Sequence, residues 1–484
     1  MTNFLDTLRV IHNASIVQKY ALMFLIIYLT DVWGLGITHA AGLINIWFGM
    51  TKILALVFRV LMDYWIGSYS MLIISTTANA LGMGLLSIST PSRLYTLITG
   101  SCREYNMKCV SETQQSLFYI ALVLIMIGRS ACAASMETLN FNGNADEKEL
   151  RQQFVKSGSG YAAVQATLLV LTPWSVIFAV ASFYNSIAVS LLMEKSWSHK
   201  LYISNPERSP VKSVIRVFVT SKKRPWKIKI GDNEFEDVQV LVRMLLVGVI
   251  YAFFVLISTI CTTYFYQQAK RLKPSIFFRV EFIEVSYLAW YFFYEEIRIK
   301  FKSDNRYGNK VDLRALVMDA TINAITCCAI AAVVERTRLG VIRKYGVGDI
   351  PGEIIPMSRF WLLPQFGMLG YFNTNLDPIR RVLFFEDASL PMQNFKEFVF
   401  NGLIGVGVMS SVLVVYLVGK ISEMGGRPNW FQHDTENSRL DLFYWALIVL
   451  CILFFNIWFH GSNYLNKRLY PRSRPLGEQK IRRR

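Results

Sequence analysis

The sequence predicts an all-α polytopic membrane protein, and its composition, its long apolar runs and its basic tail lead to that class. Hydrophobic residues make up 53% of the 484 positions and charged residues 18%, whereas a soluble protein carries about 25% charged residues. The apolar residues cluster in runs near the roughly 20 residues with which a helix crosses a bilayer. A soluble helical core needs no such series of long apolar runs without helix caps, so that class is excluded.

The apolar runs predict about twelve membrane spans, six on each side of a polar segment. The spans lie at roughly 14–35, 40–63, 69–90, 115–137, 154–173, 174–195, 239–263, 276–297, 314–334, 357–384, 396–421 and 440–464. The polar segment at 196–238 is predicted to be a cytoplasmic linker between an N-terminal six-helix bundle at 1–195 and a C-terminal one at 239–465. An even number of spans puts both termini on one side, and the basic tail at 466–484 assigns that side to the cytoplasm.

Two stretches fit this topology poorly. Spans five and six share residues 154–195, which is short for two helices of roughly 20 residues each, so one of them could be half-inserted. The basic loop "ERTRLGVIRKYGVGD" at 335–349 would lie outside the cell, against the rule that basic loops are cytoplasmic. Two six-helix halves around a cytoplasmic linker are nevertheless the layout of the major facilitator fold, whose halves rock about a site at the midplane.

The net charge of +17 is explained by basic loops and the basic tail, which suit the anionic inner leaflet, and nucleic acid is not a predicted partner. Cys102 and Cys109 share one polar loop, where a disulfide is plausible if the loop is extracellular. The remaining cysteines lie in apolar runs and behave as small hydrophobes. Because the sequence has no zinc-binding spacing, no Gly-rich phosphate loop and no nucleophile triad, neither an enzyme nor a cofactor is predicted.

Eight collinear segments carry a resemblance that extends over nearly the whole chain. They are "HAAGLINIWFGM", "VLMDYWIGSY", "SETQQSLFYIALVLIMIG", "SPVKSVIRVFV", "VVERTRL", "PMSRFWLLPQF", "FFEDASLPM" and "GGRPNW…RLDLFYW". In this order they resemble the plant nitrate/peptide transporter family, which belongs to the proton-dependent oligopeptide transporters. The resemblance implies a major facilitator fold and transport of nitrate, di- and tripeptides, glucosinolates or plant hormones, commonly together with protons.

The second span carries three ionisable residues on one face, because Lys52, Arg59 and Asp63 are separated by seven and four positions. Lys52 lies roughly 18 Å along the span, near its midplane, and is predicted to face a cavity or to be satisfied between packed helices. Arg59 and Asp63 can pair at i,i+4. Asp63 and Gly67 match the "D…G" of the family's cytoplasmic gate loop, while Ser68 stands where the family usually has arginine. We interpret Asp63 as an interhelical latch, with a solvated helix end as the alternative.

The charged positions that the family uses for coupling are changed in this chain. The family's Glu-x-x-Glu-Arg motif would fall near residues 11–15, "IHNAS", which contain no carboxylate; His12 is interpreted as a solvated residue at the cytoplasmic mouth. The family's substrate-contacting lysine of helix four would fall at Ala133, and Arg129, one turn earlier, could replace its charge but not its position. The family's substrate-side glutamate of helix ten would fall at Asn373.

Polar residues remain in the predicted C-terminal bundle. Asn373 and Asn375 can hydrogen-bond a polar substrate but cannot carry a proton. Pro378 is predicted to break the tenth helix, and this break marks either a hinge or cavity or a kink without a role in ligand binding. In the eighth span, Glu281 and Glu284 share a face at i,i+3. Glu284 lies well inside the apolar run, so it is the candidate for any remaining proton relay.

The sequence therefore predicts a secondary transporter of a small polar or anionic solute such as nitrate, a peptide or a plant metabolite. The predicted substrate-binding residues are Gln18, Lys52, Gln165, Asn373 and Asn375. Because the Glu-x-x-Glu-Arg motif is absent, proton coupling is in doubt, and an uncoupled carrier is a more natural expectation. The alternative is a transport-inactive relative with a regulatory or sensing role. The plasma membrane and the vacuolar membrane both suit the basic cytoplasmic segments.

Overall fold

Every long apolar run in the described part of the chain forms a helix, since backbone groups in a bilayer must be hydrogen-bonded within their own segment. The computed structural model describes residues 2–23, 25–90, 112–141, 173–195, 232–273, 290–291, 293–294, 296–297, 313–346, 354–384, 390–432 and 438–469. The helices are α1 (Thr2–Met23), α2 (Leu25–Asp31), α3 (Ile37–Leu61), α4 (Ser68–Ser89), α5 (Glu112–Phe141), α6 (Trp174–Lys195), α7 (Asp232–Arg271), α8 (Leu313–Tyr345), α9 (Leu363–Phe384), α10 (Leu390–Ser422) and α11 (Leu440–Leu469).

Short elements join some of these helices. A π-helical turn, Met62–Ile66, follows α3, and a 3-10 turn, Arg359–Leu362, precedes α9. Two short strands, β1 (Leu272–Lys273) and β2 (Ile355–Ser358), pair in parallel. The described residues between 290 and 297 are helical.

Nine helices in the described part of the chain are long and apolar enough to cross a membrane. They coincide with nine of the predicted spans, and α9 occupies most of the tenth, 357–384. The predicted span 154–173 and most of 276–297 lie outside the described residues, as does the loop with Cys102 and Cys109. The protein is thus an integral, multi-pass membrane protein.

Several helix ends differ from the ends of the predicted spans. The first candidate span is Thr7–Thr30 instead of 14–35, which moves Gln18 from a terminal turn to the middle of the span. Helix α7 begins at Asp232, inside the predicted linker, and residues 357–362 form a strand end and a 3-10 turn. The predicted outer loop at 335–349 is largely the last three turns of α8. At 335–345 local polarity indicated a loop, whereas packing supplied polar partners that sequence patterns do not show.

Contacts divide the chain into two compact units. Unit 1 contains Met1–Thr263 and Leu383–Asn437, and unit 2 contains Tyr264–Val382 and Ser438–Arg484. Helix α10 therefore belongs with unit 1 by its contacts. The predicted division into two six-helix bundles has its boundary at 196–238, of which residues 196–231 lie outside the described part, and it stays a prediction.

Aromatic side chains fill one region of unit 1. The ring of Tyr28 lies 5.4 Å from that of Phe178 and 5.5 Å from that of Trp174, both edge-on, while Trp33 lies 4.5 Å from Phe118. Such pairs contribute about 0.5–1.5 kcal/mol each beyond the area they bury. This cluster ties α2 to α5 and α6.

Glycines allow α10 to approach two other helices of unit 1 closely. A Cβ atom added at Gly405 would lie 2.5 Å from the carbonyl oxygen of Gly49 on α3. A Cβ atom added at Gly407 would collide with the carbonyl group of Ala252 on α7. Helix association inside a bilayer depends on such close packing, because lipid tails are as apolar as leucine. The backbones of α3, α10 and α7 are therefore in direct contact.

We expect Gly405→Ala to lower the apparent Tm of the detergent-purified protein, with a cost of about 1–3 kcal/mol, because the added methyl group meets backbone that cannot rotate away. The matched control is Gly340→Ala on α8, where an added Cβ atom meets nothing within 4 Å. This control should be neutral or stabilising by up to about 1 kcal/mol, as alanine is the better helix former. Equal Tm values for the two variants would contradict the close contact.

The described residues directly after α10 form a turn on the surface. Gly425 and Gly426 have φ values of +82° and +73°, which residues with side chains rarely adopt. The Glu423 carboxylate accepts hydrogen bonds from Lys420 Nζ at 3.0 Å and from Asn429 Nδ2 at 2.8 Å. These two donors lower the pKa of the Glu423 carboxyl. The turn thus has an exposed acid–base pair at i,i+3.

Unit 2 has an aromatic core of its own at the C-terminal end of α7. Phe265 contacts Phe366 edge-on at 5.7 Å and Tyr444 at 5.9 Å between ring centroids, which joins α7 to α9 and α11. Next to this core, Leu272 of β1 pairs with Ile355 of β2. The buried Arg359 donates from Nε to the carbonyl oxygen of Leu272 at 3.1 Å. The ends of α7 and α9 are therefore fixed to each other by main-chain and side-chain hydrogen bonds.

Candidate functional site

Gln18 lies in the packed interior of unit 1. Its Nε2 atom donates to Oδ1 of Asn79 on α4 at 3.0 Å, and both side chains are buried. A Cβ atom added at Gly128 of α5 would lie 2.5 Å from the same Asn79 oxygen, so this glycine makes room for the pair. The amide of Gln18 thus joins α1 to α4 beside α5. Its predicted role in substrate binding stays a prediction, and Asn79 was missed because nothing in its own sequence neighbourhood indicates this partner.

Arg129 follows Gly128 in the middle of α5. The residue as a whole is half-buried, and its Nη1 atom is enclosed and has no hydrogen-bond partner among the described residues. An arginine side chain stays ionised in proteins and carries five N–H donors. It lies inside the candidate span Glu112–Met136, where a charged group is costly and is by default a functional candidate. The position offers a positive charge and an available donor.

The fully buried charged side chains of unit 1, within the described ranges, are both basic. They are Arg59 on α3 and Lys396 on α10. The Cζ atom of Arg59 lies 5.5 Å from the ring centroid of Phe398, a cation–π contact between α3 and α10. The described side chains do not include that of Asp63, so the predicted Arg59–Asp63 pair stays a prediction.

Gly67 occupies a turn that requires glycine. Its φ is +73°, and its N–H donates to the carbonyl oxygen of Met62 at 3.2 Å, which ends the π-helical turn Met62–Ile66. A residue with a Cβ atom adopts this φ only with strain. The conformation fits the gate-loop position predicted for Gly67, and its role as part of a gate stays a prediction.

Lys52 lies on the face of α3 that contacts α10. A Cβ atom added at Gly405 would come 3.0 Å from the Cβ atom of Lys52, whose side chain is exposed. Two turns earlier, Asn45 reaches Ser411 of α10 at 3.5 Å and Thr263 of α7 at 3.4 Å through its Nδ2 atom. Asn45, Lys52 and Arg59 thus form one line at steps of seven residues. Asn45 was missed, although this spacing was visible in the sequence.

In unit 2, Asn373 and Asn375 are half-buried residues of α9. The Nδ2 atom of Asn375 is enclosed and has no hydrogen-bond partner among the described residues. The same helix carries an unpredicted carboxylate, Asp377, whose Oδ2 atom accepts a hydrogen bond of 3.0 Å from the hydroxyl of Tyr291. The structure therefore places a titratable group one turn from Asn373, directly before Pro378.

A second polar cluster of unit 2 is completely buried. Glu335 and Arg338 of α8 are 0% and 1% exposed, and they form a bidentate ion pair with N···O distances of 2.7 and 2.8 Å. Gln268 of α7 donates to the same carboxylate at 2.8 Å and accepts from Gln365 of α9 at 2.8 Å. This cluster, called the α7–α8–α9 clasp, satisfies the buried charge with three donors from two residues. It was missed because Glu335 and Arg338 were assigned to a loop.

Three of the residues predicted from the sequence cannot be placed in the site. Gln165, Glu281 and Glu284 lie outside the described residues. No group of three or more His, Cys, Asp or Glu side chains that could hold a metal ion occurs within the described ranges.

Comparison with known proteins identifies similar proteins over nearly the whole chain. No protein-family model matches it. Protein NRT1/PTR FAMILY 5.5 of Arabidopsis thaliana is 25% identical, over 91% of this chain and 92% of the relative. Protein NRT1/PTR FAMILY 5.10 of the same organism is 21% identical, over 92% and 89%.

Solved structures of POT family transporters share the architecture. The structure of PepTSo superposes with a TM-score of 0.67 at 12% identity, over 95% of this chain and 98% of the other. A POT family transporter in complex with 5-aminolevulinic acid superposes with a TM-score of 0.62 at 10% identity, over 94% and 95%. At such low identity these structures show the fold alone.

The fold and the relatives lead to one family. The superpositions confirm the predicted all-α major facilitator fold, which is the fold of secondary transporters. The relatives align along more than nine-tenths of the chain, which confirms the resemblance that eight short segments indicated. Along nearly its whole length the chain is similar to proteins of the NRT1/PTR family, and it shares the fold of POT family transporters.

Proposed function

We propose that this secondary transporter carries a small anionic solute and that Arg129 provides the charge that binds it. The observation that carries the proposal is the enclosed Nη1 atom of Arg129, which has no hydrogen-bond partner among the described residues. Removing a guanidinium group from water without a counter-charge costs several kcal/mol. A bound anion would offset that cost. Unit 1 without a bound solute is therefore expected to have affinity for an anion at Arg129.

The chemistry of arginine narrows the class of solute. A guanidinium group presents paired donors in one plane, which fit carboxylate, nitrate or phosphate oxygens better than a lysine ammonium does. The neighbour solved with 5-aminolevulinic acid binds a small molecule that presents a carboxylate group, one of the groups that a guanidinium binds.

A second candidate function is a transport-inactive relative with a regulatory or sensing role. The observation that favours it is the sequence "IHNAS" at residues 11–15 of α1, which lacks the carboxylates of the family's coupling motif. The two functions differ in whether solute crosses the membrane at all. Transport is therefore the measurement that separates them.

We expect saturable uptake of at least one anion when the full chain is produced in a heterologous cell and its surface expression is confirmed. The anionic probes are nitrate and an indole carboxylic acid; 5-aminolevulinic acid and a dipeptide are zwitterions that present a carboxylate, and glucose is the uncharged control. From about pH 5 to about pH 7 the carboxylates in this panel stay mainly ionised, so their charge varies little. Anions should compete with one another, and glucose should not compete. Absence of all uptake from cells with the protein at the surface would contradict transport and favour the regulatory function.

A further inference from the structure

We propose that the last turns of α8 bind the phosphate group of a negatively charged phospholipid, whose acyl chains lie along the exposed apolar side of the same helix. The basic side chains that form this site are Arg336, Arg343 and Lys344, called the α8 basic stripe below. The site is separate from the α7–α8–α9 clasp. It concerns the lipid around the protein, so it goes beyond the proposed transport of a solute and does not depend on it.

The last turns of α8 have one buried side and one exposed side. Glu335 and Arg338 are fully buried and pair with each other, whereas Arg336, Arg343 and Lys344 are exposed. Because a helix has 3.6 residues per turn, residues seven or eight positions apart share a side. The clasp fixes the rotation of α8 about its axis. The three basic side chains are therefore held together on the outer side of the helix.

The same side of α8 is apolar along the preceding turns. Met318, Ile322 and Val333 are 50%, 53% and 60% exposed. They precede Arg336 by about five, four and one helical turns at 3.6 residues per turn, so all four residues share one side. Large exposed apolar surfaces rimmed by polar residues mark membrane contacts. The lipid-facing surface of α8 thus leads directly into the α8 basic stripe.

The length of α8 places the α8 basic stripe at the level of the lipid headgroups. The helix extends over 33 residues, Leu313–Tyr345, or about 50 Å at 1.5 Å per residue. The hydrocarbon core of a bilayer is about 30 Å thick, and the headgroup layers bring the total to about 40–45 Å. The apolar side from Met318 to Val333 covers about 22 Å. Arg336 therefore stands near the edge of the core, and Arg343, about 10 Å further, in the headgroup layer.

The charge of the α8 basic stripe is available to a ligand. Among the residues that the structure describes, Arg336 and Arg343 form no ion pair. The Nζ atom of Lys344 lies 5.6 Å from the ring centroid of Tyr345, a cation–π contact that leaves the lysine positively charged. Gly340 lies between the two arginines on the exposed side, and a Cβ atom added there would meet nothing within 4 Å. The space between the two guanidinium groups is therefore open.

A phospholipid fits both parts of this surface. Guanidinium groups bind phosphate oxygens through paired donors, and a lysine ammonium adds a compact positive charge. Basic residues at the membrane surface attract anionic lipids. A soluble phosphate compound would use the same donors but would gain nothing from the apolar side chains of Met318, Ile322 and Val333. The continuity of the apolar and basic surfaces therefore favours a phospholipid.

The test measures lipid binding to the detergent-purified full chain by native mass spectrometry. The probes are phosphatidylglycerol and a diacylglycerol with the same acyl chains, which lacks the phosphate group. We expect the wild type to bind phosphatidylglycerol more tightly than diacylglycerol. Arg336→Gln and Arg343→Gln should each weaken phosphatidylglycerol binding about fivefold and leave diacylglycerol binding unchanged. The control Lys420→Gln removes an exposed lysine that is already paired with Glu423 at 3.0 Å, and it should bind both lipids as the wild type does.

Three results would overturn the proposal. The first is equal affinity of the wild type for the two lipids, and the second is phosphatidylglycerol binding in Arg336→Gln and Arg343→Gln that equals binding in Lys420→Gln. The third is displacement of phosphatidylglycerol by glycerol 3-phosphate at the same concentration, which would assign the site to a soluble phosphate compound. The apparent Tm of each variant without added lipid checks that it folds. If one arginine variant does not fold, the other decides.

Discussion

Replacing Glu335 with alanine is expected to reduce the folding free energy by about 3–5 kcal/mol, because it leaves a buried arginine without its counter-charge. Arg338 is 1% exposed, and both of its donors at 2.7 and 2.8 Å lead to the Glu335 carboxylate. The variant also removes the acceptor of Gln268. The measurement is the apparent Tm of the full chain in detergent. A large fall is expected, together with lower yield.

Two controls separate the buried pair from ordinary charge effects. Glu423→Ala disrupts an acid–base pair of the same i,i+3 spacing whose side chains are 58% and 40% exposed, and it should change the Tm little because water screens such pairs. The double variant Glu335→Leu with Arg338→Met replaces the pair by hydrophobic side chains of similar size. It should recover most of the lost stability, since a buried ion pair often contributes no more than good packing. A Glu335→Ala variant as stable as Glu423→Ala would contradict the α7–α8–α9 clasp.

The clasp shows where prediction from sequence fails in a membrane protein. The apolar run ends at Val334, and the following letters, "ERTRLGVIRKYGVGD", are polar and basic. Local patterns therefore end the helix there, whereas α8 continues to Tyr345. The extension is stabilised by Gln268, which is 67 residues away in sequence. Hydropathy cannot identify a partner at that distance, so charged residues at the end of a span were assigned to a loop.

The predictions that succeeded depend on local signals. Nine spans followed from run length alone, because a bilayer leaves an apolar segment no alternative to a helix. The placement of Lys52 and Arg59 on one helix face was also predictable, since helical geometry fixes which residues share a face. The helix that packs against that face was not predictable from the sequence. The contacts of Arg59 with Phe398 and of Asn45 with Ser411 identify it as α10.

Asp377 was overlooked for a similar reason. It stands in "NLDPIRR", where a proline and two arginines indicate the end of a helix. The structure continues α9 to Phe384 through Pro378. The family's glutamate position falls at Asn373, so the resemblance favoured the amides Asn373 and Asn375 in this helix. The carboxylate was one helical turn further along the same helix.

Replacing Arg129 with glutamine is expected to raise the KM for the anionic substrate by about 10–100-fold, because it removes a charge-assisted hydrogen bond of about 1.5–3 kcal/mol. The same change should raise the apparent Tm of the empty protein. Its Nη1 atom is enclosed without a hydrogen-bond partner among the described residues, so the neutral amide removes an unfavourable buried charge. The measurements are initial uptake rates against concentration and thermal unfolding without solute.

The opposite signs of the two readouts distinguish a binding arginine from a structural one. A structural arginine would behave like Arg338 of the clasp, and its loss would lower the Tm and the amount of protein at the membrane together. Arg129→Lys keeps the charge and loses the paired planar donors, so its KM should lie between those of the wild type and the glutamine variant. Lys52→Ala, a change at an exposed position of α3, tests the residue that the sequence favoured. An unchanged KM in Arg129→Gln with a raised KM in Lys52→Ala would transfer the binding role to Lys52 and contradict the assignment to Arg129.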